Sequence, residues 1–460
     1  MHLLDLPVEL MHMVLLQAVI SRGVKRALRL KLVCKQFYNC LQPALFESKL
    51  LDDFSVIPRY RDLNFMELWY IRKQYGAVGL WHSYLVYRVQ NESGTGVRRL
   101  LEIRHLAEDL CRRTEVGYLE TVNTLCWLAL ERYVGMQGYQ EDHVHDSDKL
   151  NSGQSLLSVV AYLGYLPLAK QLLSEGHCPT TSSHLFPSPM QLAAWAGNIE
   201  MLKLFQEYLP EFENIPSEPN SWRAKTGPGS IKGASSRGDM DILHLAIYPP
   251  SRATPDSKDF AGYPYGHVDP CSKQGRDLQS ALLCAKTPVA FQCIEAFFED
   301  SKLDKQYLLV HYAELGNVDM VRYLLDQGAD INGGEKLNCN PLSCAARYWH
   351  EDVVDLLLEC GADPNYQTLQ QRGSPLRAAA MSGSLTMVRK LMDHGARLTD
   401  NEWWPLFEAL QLEHTTMATL LLDLNIGDAA ARSQVLKKTL DLGLESMAEL
   451  LQQQDVSLQS

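Results

Sequence analysis

Apolar positions between Asn340 and Asn365 fall into two groups with helical spacing. Leu342, Ala345 and Ala346 mark one face, and Val353, Val354, Leu356, Leu357 and Leu358 mark a wider one. This pattern predicts two short helices joined by a turn. Gly361 follows the second group in Cys360-Gly361-Ala362-Asp363. Glycine adopts the left-handed backbone that ends a helix without steric cost, so Gly361 is the expected stop. The same frame stands upstream as GNVDMVRYLLDQGADIN, closing at Gly328, and downstream as SPLRAAAMSGSLTMVRKLMDHGARL, closing at Gly395. These three glycines are about 33 and 34 residues apart.

That period, and the string NPLSCAARYWHEDVVDLLLECGADPN, resemble the ankyrin repeat, whose pattern runs TPLH-AA, G, VV-LLL, GAD-N. The departure is Trp349-His350, where Gly-His is expected. The frame begins near Gln154, in QSLLSVVAYLGYLPLAKQLLSEGH, and passes through Gly197 and Gly238. Pro-, Ser- and Gly-rich stretches at 209–230 and 249–276 read as inserted loops. SALLCAKTPVAFQCIEAFFED is a glycine-poor unit, and the units after Gly395 also lose glycines. A more polar last unit suits a terminal cap. Residues 151–460 are therefore expected to form about seven or eight ankyrin units with short hairpin loops.

At the N-terminus, Leu10, Met13 and Val14 recur at helical spacing after Leu3 and Leu6, with Pro7 suited to a first helical turn. A break at Ser21-Arg22-Gly23 precedes a second helix with Leu28, Leu32 and Val33, and Phe37, Leu41, Leu45 and Phe46 continue a third. Three short helices bury little apolar surface, so an apolar face left for a partner is expected. Residues 1–50 resemble an F-box, whose pattern is LPxELL, then LRLVCKxF, then LF or LW. Here it stands as Leu6-Pro7-Val8-Glu9-Leu10, then Leu30-Lys31-Leu32-Val33-Cys34-Lys35-Gln36-Phe37, then Leu45-Phe46. The first helix departs from the pattern by running through Gln17-Ala18-Val19-Ile20 into SRGVKRA. Residues 51–150 are aromatic-rich and helical in period. They are expected to form a connector with a degenerate repeat around Gly117. The fold class is thus all-α: a three-helix F-box, a helical connector and an ankyrin array.

Charge narrows the partners. The 460-residue chain has a formal net charge of −12. About 17 basic and 11 acidic residues precede and include Arg113, so the remainder is near −18. An acidic repeat array is a poor nucleic-acid ligand, because neutralising phosphates takes clustered Lys and Arg. No run of about 18 apolar residues is present, so no membrane span is expected. Asp5 and Glu9 argue against a signal peptide. The 11 cysteines include no CxxC pair, which suits reduced thiols in the cytoplasm or nucleus.

Catalytic chemistry finds little support. His143 and His145 stand among Asp142, Asp146 and Asp148, but no second ligand pair lies at metal-binding spacing, and a polar loop accounts for them. GPGSIKG at 227–233 lacks the strand and the Lys-Ser/Thr pair of a phosphate loop. No nucleophile–base signature occurs, so no enzyme, metal or cofactor is expected.

The F-box resemblance implies a substrate receptor that joins a Skp-type adaptor and the other subunits of a cullin–RING (SCF) ubiquitin ligase. In it Leu6, Pro7, Leu10, Val14, Leu32 and Val33 would divide between adaptor contact and F-box core. The ankyrin resemblance implies a target protein held by first helices and hairpin tips. By position these offer Arg347, Tyr348, Trp349, Tyr366, Arg372, Met381, Trp403 and Trp404, types that dominate binding hot spots. An interaction scaffold without a ligase role is the alternative.

Overall fold

The structure is a computed structural model. It describes residues 6–28, 30, 33–52, 78–92, 98–114, 116–130, 152–208, 221–247, 273–298, 303–333, 340–366, 374–397, 404–411, 413–423 and 429–457. The described residues are helical with short turns and contain no strand. Contacts divide the chain into two compact units, Met1–Lys302 and Leu303–Ser460.

The first unit opens with α1 (Val8–Ala27) and α2 (Lys35–Glu47). Met11, Leu15 and Val19 recur every four residues in α1, as do Phe37, Leu41 and Leu45 in α2. All six are buried and the helices pack together, as ridges at that spacing do. Gly23, at φ 73° and ψ 168°, interrupts the helical backbone inside α1 at the expected break, and helix resumes to Ala27. The rest of the expected second helix lies partly outside the described residues, Arg29, Lys31 and Leu32 among them.

α3 (Val78–Asn91), α4 (Arg98–Thr114) and α5 (Tyr118–Leu130) form the connector. α4 and α5 pack as a pair either side of Gly117. A buried ionic cluster fastens α3 to the end of the N-terminal helices. Arg88, with a 4% exposed side chain, pairs with Asp52 and with Glu92 at 2.6 Å. Tyr84 donates its hydroxyl to Asp52 at 2.6 Å. Burial and that bond push the Tyr84 phenol well above its ordinary range. For Arg88 burial works against the charge, but hydrogen bonds with Tyr84, Asp52 and Glu92 outweigh it and raise its pKa. Phe46 packs against the Tyr84 and Tyr87 rings at 5.1 and 5.6 Å. On the other side of the connector, buried Glu102 of α4 pairs with His184 at 2.6 Å.

The repeats of this unit are α6 (Ser152–Leu163) with α7 (Leu166–Ser174), and α8 (Pro189–Ala196) with α9 (Ile199–Glu207). α10 (Ser221–Arg237) with α11 (Met240–Ile247), and α12 (Lys273–Leu283) with α13 (Pro288–Glu295), follow. First helices stack in order, α6 on α8, α8 on α10 and α10 on α12. The supposed insertion at 209–230 is partly wrong, because 221–230 belong to the long helix α10. The same helix continues through Gly233. A Cβ at Gly233 would stand 2.2 Å from the Gln191 carbonyl, so only glycine admits α8 this close. The second supposed loop, 249–276, likewise ends in helix from Lys273.

The second unit contains α14 (Lys305–Leu315) with α15 (Val318–Asp326), α16 (Pro341–Arg347) with α17 (Glu351–Glu359), and α18 (Pro375–Ser382) with α19 (Leu385–Asp393). α20 (Trp404–Gln411) with α21 (Thr415–Asp423), and α22 (Ala429–Asp441) with α23 (Glu445–Ser457), complete it. Nine pairs thus lie among the described residues after 151, more than the seven or eight expected. The faces read from the pattern are the buried ones: Leu342, Ala345, Ala346, Val353, Val354, Leu356, Leu357 and Leu358 are all core. Among the described cysteines eight are free thiols, whereas Cys344 is disulfide-bonded, against the reduced state expected of it. No described helix is long and apolar enough to cross a membrane.

Candidate functional site

Most first helices close in the same way. The amide two or three residues beyond the helix donates to a carbonyl inside it: Asn198 to Ala193 at 2.9 Å, Asn317 to Tyr312 at 3.0 Å, His350 to Ala345 at 3.0 Å and His414 to Ala409 at 2.8 Å. The closure needs a left-handed residue just before that amide. Gly197 and Gly316 supply it at φ 86° and 71°. Trp349 and Glu413 supply it at φ 68° and 53°, where a side chain costs about 1–2 kcal/mol. A polar side chain from the next repeat then covers the turn of the one before. Asn198 donates to the Ala161 and Tyr162 carbonyls at 2.9 and 2.7 Å, and His350 meets the Glu314 carbonyl at 2.7 Å.

Trp349 is 63% exposed in this strained place. Its indole N–H donates to the Ser382 carbonyl of the next repeat at 2.9 Å. The exposed Arg347 lies beside it, with its guanidinium 3.9 Å from the Met381 sulfur. Tyr348 is half-buried in the same turn. The structure thus gathers Arg347, Tyr348, Trp349 and Met381 at the C-terminal ends of α16 and α18. Tyr366 does not join them. Its carbonyl accepts from Asn340, the N-cap of α16, so it sits at the opposite end of that helix. Tyr366 and the Trp349 group thus lie at the two ends of one first helix. Trp404 begins α20, while Arg372 and Trp403 lie outside the described residues, as do the 142–148 histidines and aspartates.

At the N-terminus the division between core and surface is plain. Leu10, Val14 and Val33 are 47%, 41% and 63% exposed, so none belongs to the core. Pro7 is exposed and Leu6 half-buried, and Leu32 lies outside the described residues. The core role falls to Met11, Leu15, Val19, Phe37, Leu41 and Leu45. Val8, Met13, Ile20 and Tyr38 are also exposed. On α1, Leu10, Met13, Val14 and Ile20 project away from the buried Met11–Leu15–Val19 row. Of these, Val8, Ile20 and Tyr38 were not singled out from sequence. Ile20 carried a usable signal, as an apolar residue off the buried stripe.

Among the described residues no group of three or more His, Cys, Asp or Glu side chains is arranged to hold a metal.

Comparison with known proteins bears on the repeats. A family model for ankyrin repeats (3 copies) matches residues 280–368. The chain carries ankyrin repeats. A putative ankyrin repeat protein of Fowlpox virus is 34% identical over 24% of this chain and 33% of its own length. Palmitoyltransferase AKR1 of Lachancea kluyveri is 47% identical over 13% of this chain and 8% of its own. Palmitoyltransferase Hip14 of Drosophila melanogaster is 32% identical over 31% of this chain and 21% of its own. The chain spans a third or less of the length of each of these relatives, and the palmitoyltransferases match in the ankyrin regions. Ankyrin repeats suggest interaction with other proteins.

Proposed function

We propose that this chain is the substrate-recognition subunit of an SCF-type cullin–RING ubiquitin ligase. Its N-terminal helices dock a Skp-type adaptor, and its ankyrin repeats hold the target protein. The observation that carries the reading is the two-sided character of α1. One side buries Met11, Leu15 and Val19, while Leu10, Met13, Val14 and Ile20 stand exposed on the other. A helix apolar on both sides is ordinarily covered on both, so this one calls for a partner. The F-box-like strings at Leu6–Leu10 and Leu30–Phe37 support the same partner. On this reading the chain performs no bond chemistry and binds no cofactor. It contributes proximity, holding the target where other subunits deliver ubiquitin, in the cytoplasm or nucleus.

A pull-down with purified Skp-type adaptor tests it. Wild type is expected to capture the adaptor, and Met13→Glu/Val14→Glu to lose it while melting at the same temperature. Failure of folded wild type to capture the adaptor overturns the ligase reading. The second reading is an ankyrin scaffold capped by its N-terminal helices. It draws on the Arg88–Asp52–Glu92 cluster and the Phe46 contacts, which join those helices to the connector as a cap would be joined. As a cap, removal of residues 1–50 lowers the melting temperature of the repeats and leaves target capture tied to stability alone.

A further inference from the structure

The helix turns of the first unit line a groove of about 730 Å³, and four consecutive repeats build it. Tyr162, near the end of α6, and Trp195, near the end of α8, place their ring centroids 5.7 Å apart, tilted by 59°. Arg237, the last residue of α10, and Lys286, in the turn between α12 and α13, follow on the next two repeats. The order along the groove is therefore aromatic, aromatic, cation, cation.

Each part is held in place. Arg237 lies over Gly197, where a Cβ would stand 2.6 Å from its guanidinium carbon, and it donates to the Ala196 carbonyl at 3.0 Å. Asp239 is the one carboxylate among the described lining residues, 3.5 Å from Arg237. Its Oδ1 already accepts the amides of Asp241 and Ile242 at the start of α11. Arg237 and Lys286 thus present two exposed cations to the groove, and the Asp239 carboxylate beside them also caps a helix. Both aromatic residues are half-buried and in ring contact, and aromatic side chains give large contact area at low conformational-entropy cost.

We propose that this groove binds an extended acidic segment of a protein, with an apolar side chain on Tyr162 and Trp195 and carboxylates on Arg237 and Lys286. Stacked helices lie about 8–10 Å apart, so four repeats span about 24–30 Å. An extended chain covers that distance in about eight residues. The centres of the aromatic and cationic pairs are two repeats apart, about five or six residues of peptide. Two cations suit one or two carboxylates and fall short of a nucleic-acid backbone, which needs many. The inference rests on the repeats being the target-binding part of the proposed receptor, and is independent of adaptor docking.

The test is fluorescence anisotropy on the purified full chain without adaptor. Two labelled ten-residue peptides serve as probes, one with a Phe five residues before a Glu-Glu pair and one in reverse order. Versions with Lys-Lys in place of Glu-Glu, and a single-stranded oligonucleotide, are the comparisons. One of the two acidic probes is expected to bind, and the Lys versions and oligonucleotide to bind at least about tenfold more weakly, as 1.4 kcal/mol per decade would read. Lys286→Glu and Trp195→Ala are each expected to weaken the acidic probe about tenfold or more. Lys170→Glu, an exposed change outside the groove, leaves binding as it was. Circular dichroism melts confirm that each variant is folded, and Lys286→Gln gives a milder change should Lys286→Glu melt early. The inference is overturned by no binding of either acidic probe, by equal binding of the Lys versions or the oligonucleotide, or by groove variants indistinguishable from Lys170→Glu. Adaptor capture in a separate pull-down is untouched by any of these results, so the two readings fail separately.

Discussion

The N-terminal helices and the repeats around Asn340 use apolar residues in opposite ways. α17 buries Val353, Val354, Leu356, Leu357 and Leu358, and its polar residues Glu351, Asp352 and Glu359 face out. Its repeat is also stitched to the next, with Thr386 donating to Glu351 at 3.0 Å, Lys390 to Asp355 at 2.8 Å and Asn365 to the Gly395 carbonyl at 2.9 Å. α1 instead carries more apolar surface than α2 covers. A repeat thus places its apolar residues against its neighbours in the chain, whereas α1 leaves a set of them exposed. The difference separates apolar residues that packing within the chain explains from those that it does not.

The largest expected effect falls on the junction between the N-terminal helices and the connector. Arg88→Ala leaves Asp52 and Glu92 facing each other without their buried cation, and is expected to cost about 3–5 kcal/mol in urea unfolding. An unchanged midpoint would mean that the N-terminal helices are not integrated by this cluster. Within the repeats, Leu357→Ala, at a fully buried site, is expected to cost about 2–5 kcal/mol. A thermal melt that does not move would remove the packing role assigned to that face.

A smaller cost is expected at Gly316. Its φ of 71° and the His350 ring, 2.3 Å from where a Cβ would stand, oppose any substitution there. Gly316→Ala is expected to lose about 1–3 kcal/mol and to break the His350–Glu314 contact, visible in the His350 NMR shifts. Trp349→Gly relieves about 1–2 kcal/mol of left-handed strain but gives up a hydrogen bond worth about 0.5–1.5 kcal/mol. Its stability is expected to change by no more than about 1 kcal/mol, while capture of target from the native complex falls. Retained capture would make Trp349 a tolerated oddity. The smallest stability effect belongs to Met13→Glu, within about 0.5 kcal/mol, because the side chain is 62% exposed. A large loss there would mean that the exposed face of α1 is structural, and the contrast drawn above would fail.

Much of the array was legible because a repeat is local. Each helix pair carries its own apolar period and stop signal, and a spacing near 33 residues needs no distant contact to be seen. The errors lie where distant contacts overrule composition. GPGSIKG has the makeup of a loop, yet it is helical, because Gly233 meets the Gln191 backbone of the repeat before it. Leu10 and Val14 have the makeup of core, yet α2 lies against the other side of α1. Trp349 has the makeup of a packing residue, yet the turn it occupies has one backbone shape, and the shape was kept with the wrong residue type for it.

Sequence alone determined the all-helical class, the unit length and the faces that pack, since all three follow from periodicity and from where glycine ends a helix. Only the tertiary structure decided which apolar residues stay outside, how Tyr162, Trp195, Arg237 and Lys286 come to one groove across 125 residues of chain, and that Tyr366 parts company with Trp349. These depend on which side of a helix its neighbours take. That choice is settled by contacts between distant segments, which no local pattern encodes.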